Sequence, residues 1–198
     1  MVITILGNIF HPLEDCLPML QILVAEIQER QEIMYKVPFE ELNSIKFTLD
    51  STPEEDIPGF NEKYASIQSH ISRVSSILIE AKREIKYWNE YKSRLKSLYV
   101  RAKNNLLINT SEIKELRNKE MQESAIQERI PDLVRLLEGL DIIIDSLESD
   151  IDIIRIKKEE IDSANVNLNR QQKVIEDMIG LNIIPTGGGL LRMRRWDK

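Results

Sequence analysis

Two long heptad repeats constrain this chain more than any other feature of its sequence. The first steps by four and three residues in turn from Ile67 to Leu106, and the second does so from Leu133 to Ile179. An apolar stripe of this period lines one side of a helix, so each helix needs a partner to cover it. Such helices would be about 70 Å long. The sequence therefore predicts an all-α fold: a long antiparallel helical hairpin or coiled coil, with a short N-terminal helical region, or helices that join other subunits.

Polar residues interrupt both repeats, which we call the first and second seams. In the first seam only Lys92 is charged, and in the second the polar positions are Lys158, Asn165 and Gln172. A polar seam residue typically fixes register and oligomeric state at some cost in stability. If the helix that precedes Pro131 runs straight to residue 128 and the hairpin turns at Pro131, Lys92 is predicted to lie near Asn165. The positions of the first seam are Ile67, Ile71, Val74, Leu78, Ala81, Ile85, Trp88, Lys92, Leu95, Tyr99, Ala102 and Leu106.

The seams suggest three parts: an N-terminal helical region over 1–60, a hairpin over 61–180, and a Gly-linked basic C-terminal tail over 181–198. In the first part, helical spacing predicts a helix over 13–36 that Pro38 ends, and a short helix over 39–49. Pro58 and Gly59 predict a break, after which Asn61 is expected to cap the long helix. The tip of the hairpin is predicted within 107–131, and Gly180 is a candidate end for the last helix.

Residue types suited to catalysis or metal binding are scarce. The chain has one cysteine, Cys16, which is predicted to be buried, and two isolated histidines, His11 and His70. These do not supply a disulfide framework, a metal site or a nucleophile with its base, and no phosphate-binding glycine loop is present. No apolar run is long enough to span a bilayer. We therefore expect no cofactor, no enzymatic activity and no membrane partner.

Charge is distributed in blocks along a chain of net charge −6. Residues 1–60 carry a net charge of −8, residues 80–103 one of +5, and residues 111–162 one of −7. Such blocks suit self-association or a polyanionic partner, although long solvated helices also carry charge blocks by chance.

The basic block over 82–103 combines cations with aromatic rings away from the first seam. Basic side chains neutralise phosphates, and aromatic faces stack on unpaired bases at about 1–3 kcal/mol each. The alternative is a solvated helix whose aromatic side chains pack on a neighbouring helix. The candidate contacts to nucleic acid are Lys82, Arg83, Lys86, Tyr87, Tyr91, Arg94, Lys96, Arg101 and Lys103.

Three segments in order give the chain a family resemblance. They are the block Leu78–Lys103, the run Arg117-Asn118-Lys119-Glu120-Met121, and the aliphatic helix that ends in Glu176-Asp177-Met178-Ile179-Gly180. Over about residues 65–180 the chain resembles the UvsY-type recombination mediators of T-even-like phages. The resemblance implies a helical hairpin that forms oligomeric rings, binds single-stranded DNA and helps load a recombinase, with the basic residues above as DNA contacts.

A structural role in a phage particle, as a neck, tail or capsid-associated coiled-coil protein, is the rival prediction. Polar seam residues serve inter-subunit register equally well. The tail after Pro185–Gly189 carries the candidate docking residues Arg192, Arg194, Arg195 and Trp196, which are predicted to bind a neighbouring subunit or a larger assembly. The expected partners are copies of the chain itself, with single-stranded DNA and a recombinase, or other virion proteins. The expected location is the cytoplasm, that of the host for a phage protein, or the virion.

Overall fold

The computed structural model describes residues 16–45 and 57–181, and about nine tenths of these residues are helical. No strand occurs within these two ranges. The helices are α1 (Leu17–Glu32), α2 (Phe39–Ser44), α3 (Ile57–Asn109), α4 (Ser111–Lys114), α5 (Lys119–Arg129) and α6 (Pro131–Gly180).

Helices α3 and α6 pack against each other as a helical hairpin, which confirms the predicted all-α fold. Every first-seam residue is buried or half-buried in α3. In α6 the wholly apolar half of the second seam, from Leu133 to Ile175 at steps of seven, is buried throughout. The polar residues Lys158, Asn165 and Gln172 are only half-buried. The seams therefore hold the two helices together, and the polar positions lie at the margin of the contact.

The described residues form two compact units. The first unit contains residues 16–37 and 78–153, and the second contains residues 38–45, 57–77 and 154–181. In the first unit α1 packs on α3 as well, burying Leu20, Leu23 and Ile27 in the same core as Trp88 and Leu95. In the second unit α2 is tied to α3 by an ion pair between Glu41 and Arg73, whose guanidinium holds the pKa of the Glu41 carboxyl below its usual range.

The antiparallel register differs from the prediction for Lys92. This lysine forms an ion pair with Asp141, whose carboxylate accepts a hydrogen bond that raises the pKa of the ammonium. Within the second unit, Asn165 instead accepts a hydrogen bond from Gln68 at 2.7 Å. The predicted proximity of Lys92 and Asn165 is therefore wrong. The chain reverses direction through α4 and α5, before Pro131. Lys92 therefore lies opposite Asp141, which comes earlier in α6 than the predicted Asn165.

The start of α3 also differs from the prediction. The helix begins at Ile57 and runs through Pro58 and Gly59, so these residues do not break it and Asn61 is not its cap. A proline in the first turn is tolerated because the amides there have no partner within the helix. The first helix is shorter than predicted, ending at Glu32 well before Pro38, and α2 ends at Ser44. Pro131 opens α6 and Gly180 ends it, and the tip lies within the predicted 107–131.

Candidate nucleic-acid interface on helix α3

The basic block lies on the middle of α3, in the first unit. All of its candidate residues are off the first seam, but they face different surroundings. A helix advances about 100° per residue, so residues three and four apart share a side. The candidates fall into four groups: lysines that face solvent, two cations paired with other helices, two arginines on a further exposed side, and two tyrosines in contact with neighbouring side chains.

The solvent-facing group forms a lysine stripe along α3, which we define as Lys82, Lys86, Asn89, Ser93 and Lys96. Every residue of the stripe is exposed, and the steps of four and three residues place all of them on one side of the helix. Within the described ranges Lys82 and Lys96 form no ion pair, and Lys86 lies 4.0 Å from Glu90 with its side chain 77% exposed. The stripe contains no carboxylate and extends for about 21 Å.

Two predicted cations are paired with carboxylates of other helices. Arg94 forms an ion pair with Glu26 of α1, and the hydrogen bond in this pair raises the pKa of the guanidinium. Lys103 forms an ion pair with Glu123 of α5, which lowers the pKa of that carboxyl. These two residues therefore have structural partners within the fold and are less available to a polyanion than the lysine stripe.

Two arginines, eighteen residues apart and therefore at the same angle around the helix, lie on a further exposed side of α3. Arg83 is exposed and forms hydrogen bonds of 2.8 and 3.0 Å with Glu80, one turn earlier in α3. Arg101 is exposed and has no hydrogen-bond or ion-pair partner in the part of the chain that the structure describes. Arg101 borders a groove between α1 and α3 rather than the lysine stripe.

The two predicted stacking residues already contact other side chains. The guanidinium of Arg30 lies 4.2 Å from the ring centroid of Tyr87, a cation–π geometry. Tyr91 is half-buried and meets the ring of Trp88 edge to face, with centroids 5.9 Å apart. An unpaired base would have to displace one of these contacts to stack there. The lysines, rather than the tyrosines, are therefore the accessible part of the predicted site.

A buried charge beside the basic block was missed by the sequence analysis. Glu84 is only 2% exposed, and its carboxylate accepts hydrogen bonds from both Arg30 and the indole nitrogen of Trp88, the latter at 2.9 Å. The signal that points to it is a third stripe at seven-residue spacing, in which Glu84 follows Ile77 and precedes Tyr91 and Leu98. This stripe indicates a third helix against α3.

Several other predictions concern chemistry or lie outside the described ranges. Among the described residues, Cys16 is buried as expected, and no group of three or more His, Cys, Asp or Glu side chains is placed to hold a metal ion. The helices in those ranges include none long and apolar enough to cross a membrane. His11 and the tail candidates Arg192, Arg194, Arg195 and Trp196 lie outside the described residues.

Comparison with known proteins returned no match: no protein-family model, no curated protein and no solved structure is similar to this chain.

Proposed function

We propose that this protein binds single-stranded DNA through the lysine stripe of α3 and acts, without enzymatic chemistry, as a recombination mediator that helps load a recombinase. The observation that carries the proposal is the stripe itself, in which Lys82, Lys86 and Lys96 share one exposed side of the helix and, within the described ranges, only Lys86 has a carboxylate within 4.0 Å, that of Glu90. The role as a recombination mediator rests on the resemblance to UvsY-type proteins over residues 65–180, which adds recombinase loading to DNA binding. Such a protein acts in the cytoplasm where the recombinase works.

Electrostatics supports a strand of phosphates as the ligand. Each phosphate contact by a lysine releases condensed counterions, and this release supplies most of the sequence-independent affinity. Arg83 follows Lys82 in sequence, but its guanidinium is paired with Glu80, so the net positive charge of this region comes from the lysine stripe. The chain as a whole carries a net charge of −6, so a nucleic acid would meet repulsion over much of the remaining surface.

The test is fluorescence anisotropy with a labelled single-stranded oligonucleotide at low salt. The variant Lys82→Glu/Lys86→Glu/Lys96→Glu is expected to bind at least tenfold more weakly than the parent, because three phosphate contacts are replaced by repulsion. The matched control is Arg135→Glu/Arg170→Glu/Lys173→Glu, which makes the same change in net charge at exposed positions of α6. Equal loss in both variants, or no binding by the parent, would remove the proposal.

A structural role in a larger particle is the second candidate. Large apolar side chains are exposed on two helices of the first unit, with Met19 and Ile22 of α1 49% and 58% exposed and Ile142 of α6 70% exposed. Apolar side chains exposed in this way are typical of surfaces that other subunits cover. Light scattering on the parent with and without the oligonucleotide separates the candidates: a stable assembly that ignores DNA supports the structural role.

A further inference from the structure

A groove between α1 and α3 combines an apolar surface with the exposed cation of Arg101. Its volume is about 220 Å³, and Leu23 and Leu98 are buried beneath the exposed side chains of Met19 and Ile22. Arg101 lies at the rim, exposed and without a hydrogen-bond or ion-pair partner in the described ranges. Methionine and arginine are enriched at protein–protein interfaces, and a groove between two helices suits an amphipathic helix. No aromatic ring lines the groove, which argues against bases as its occupant.

The outer face of α6 in the first unit has the complementary character. Ile142 and Ile153 are 70% and 49% exposed and lie eleven residues apart, which is about three helical turns and therefore one side of the helix. The carboxylates of Glu138 and Asp145 are exposed beside them. This outer face of α6 is thus apolar with an acidic edge, whereas the groove is apolar with a basic edge.

The groove and the outer face of α6 cannot meet within one molecule. Helix α6 turns Ile144 and Leu147 toward the core that it shares with α3, so Ile142 and Ile153 face away from that core. A contact between the two surfaces therefore requires two copies of the chain. The surfaces differ, so the contact is heterologous: each copy offers a groove to one neighbour and an α6 face to another, which generates a ring or an open chain.

We propose that the groove between α1 and α3 binds the outer face of α6 of a second copy of this chain. Ile142 and Ile153 of one copy cover Met19 and Ile22 of the next, and the acidic edge of α6 faces Arg101. This self-association does not depend on DNA binding, since the residues that line the groove are distinct from those of the lysine stripe.

Sedimentation velocity on the full-length protein tests the contact through three variants. Ile22→Asp and Arg101→Glu are each expected to raise the dissociation constant of self-association at least tenfold, because the first places a charge in the apolar contact and the second repels the acidic edge. Ile79→Asp is the matched control: Ile79 is 56% exposed on α3 but does not line the groove, so this variant should associate like the parent. Far-ultraviolet circular dichroism confirms that each variant stays helical.

Cysteine cross-linking identifies the surface that occupies the groove. A tagged Ile22→Cys protein mixed with an untagged Ile142→Cys protein should give a disulfide-linked heterodimer under mild oxidation, and the pair Ile79→Cys with Ile142→Cys should not. Three results would overturn the proposal: a parent that stays monomeric at all concentrations, an Ile22→Asp variant that associates like Ile79→Asp, or cross-linking equal in the two pairs. The proposal would also be overturned if deletion of residues 187–198 abolished association while Arg101→Glu associated like the parent. The tail of one copy, and not its groove, would then bind the outer face of α6 of the next.

Discussion

The two units use the same heptad repeat in α3 but hold it in place differently. In the first unit Trp88, Leu95 and Ala102 are fully buried, and α1 adds a second packing surface that encloses the charge of Glu84. In the second unit two exposed hydrogen bonds join α3 to α6, from Gln68 to the seam residue Asn165 and from Tyr64 to Asn169 at 3.0 Å. A heptad repeat thus shows that a helix has a partner. The other helices and side chains packed around each seam position decide how much that position contributes to the free energy of unfolding.

Truncating a buried side chain in each unit should give the largest difference in the free energy of unfolding. Trp88→Ala is expected to reduce the free energy of unfolding by about 3–5 kcal/mol, because it empties the largest buried side chain of the first unit and removes a donor from Glu84. Leu168→Ala, at a buried second-seam position of the second unit, should cost less, since polar half-buried positions flank it. Urea unfolding measures both, and a larger cost for Leu168→Ala would contradict the ranking.

The ion pairs of the two units should differ nearly as much in what they contribute to the free energy of unfolding. Arg30→Ala leaves the carboxylate of Glu84 buried without its cation, at an expected cost of about 3 kcal/mol. Arg73→Ala breaks the exposed pair with Glu41 in the second unit and should cost about 1 kcal/mol or less. The double variant Arg30→Met/Glu84→Leu should recover most of the stability lost in Arg30→Ala, and failure to recover it would show that the charges themselves are needed.

Alkaline pH should affect the first unit through Tyr99. Burial, and then the hydrogen bond to Glu123 at 2.6 Å, raises the pKa of Tyr99 to about 12. Because this pKa lies above the ordinary value near 10, Tyr99 contributes stability that is present below pH 10 and is lost as the pH rises through about 12.

Tyr99→Phe should remove this contribution, at a cost of about 1.5 kcal/mol at neutral pH for a hydrogen bond to a charged group. The free energy of unfolding, measured from pH 9 to pH 12, should therefore fall more steeply with pH for the parent than for the variant. Identical slopes would show that Tyr99 is not held in its neutral form.

The polar layer of the second unit should give the smallest effect, with the opposite sign. Asn165→Leu is expected to raise the free energy of unfolding by about 0.5–1 kcal/mol, because leucine favours the helix and fills a half-buried seam position. Gln68 is exposed and can bind water in place of Asn165. A destabilised Asn165→Leu protein would mean that the hydrogen bond between Gln68 and Asn165 matters more than the apolar contact that replaces it.

The long helices were predictable because their seams repeat locally, whereas the contacts of α1 were not. The unbroken repeat from Ile67 to Leu106 indicates a long helix by itself, since its spacing is a property of residues close together in sequence. That Arg30 reaches Glu84, and that Arg94 is paired with Glu26, depends on how α1 docks on α3, which no spacing encodes. The register of the two long helices could not be predicted for the same reason: α4 and α5 reverse the chain before Pro131, with tertiary contacts such as that between Tyr99 and Glu123.

The candidate site also divides into residues that pack against other helices and residues that face solvent. The sequence identified the basic block, but a linear run of cations does not show which of them other helices neutralise. The ion pair between Lys103 and Glu123 removes one candidate, and the exposure of Lys82 and Lys96 retains two others. The lysine stripe is therefore a smaller site than the one predicted, and it is the part that substitution can change without touching the core.

The salt dependence of single-stranded DNA binding tests the proposed role of the lysine stripe most directly. The logarithm of the binding constant falls with the logarithm of salt concentration at a slope of about 0.7 for each phosphate contact on a single strand. Lys82→Glu/Lys86→Glu/Lys96→Glu should therefore lose about 2 from the slope of the parent, with the same free energy of unfolding to within about 0.5 kcal/mol per substitution. An unchanged slope, or a parent whose binding shows no salt dependence, would contradict the role of the stripe.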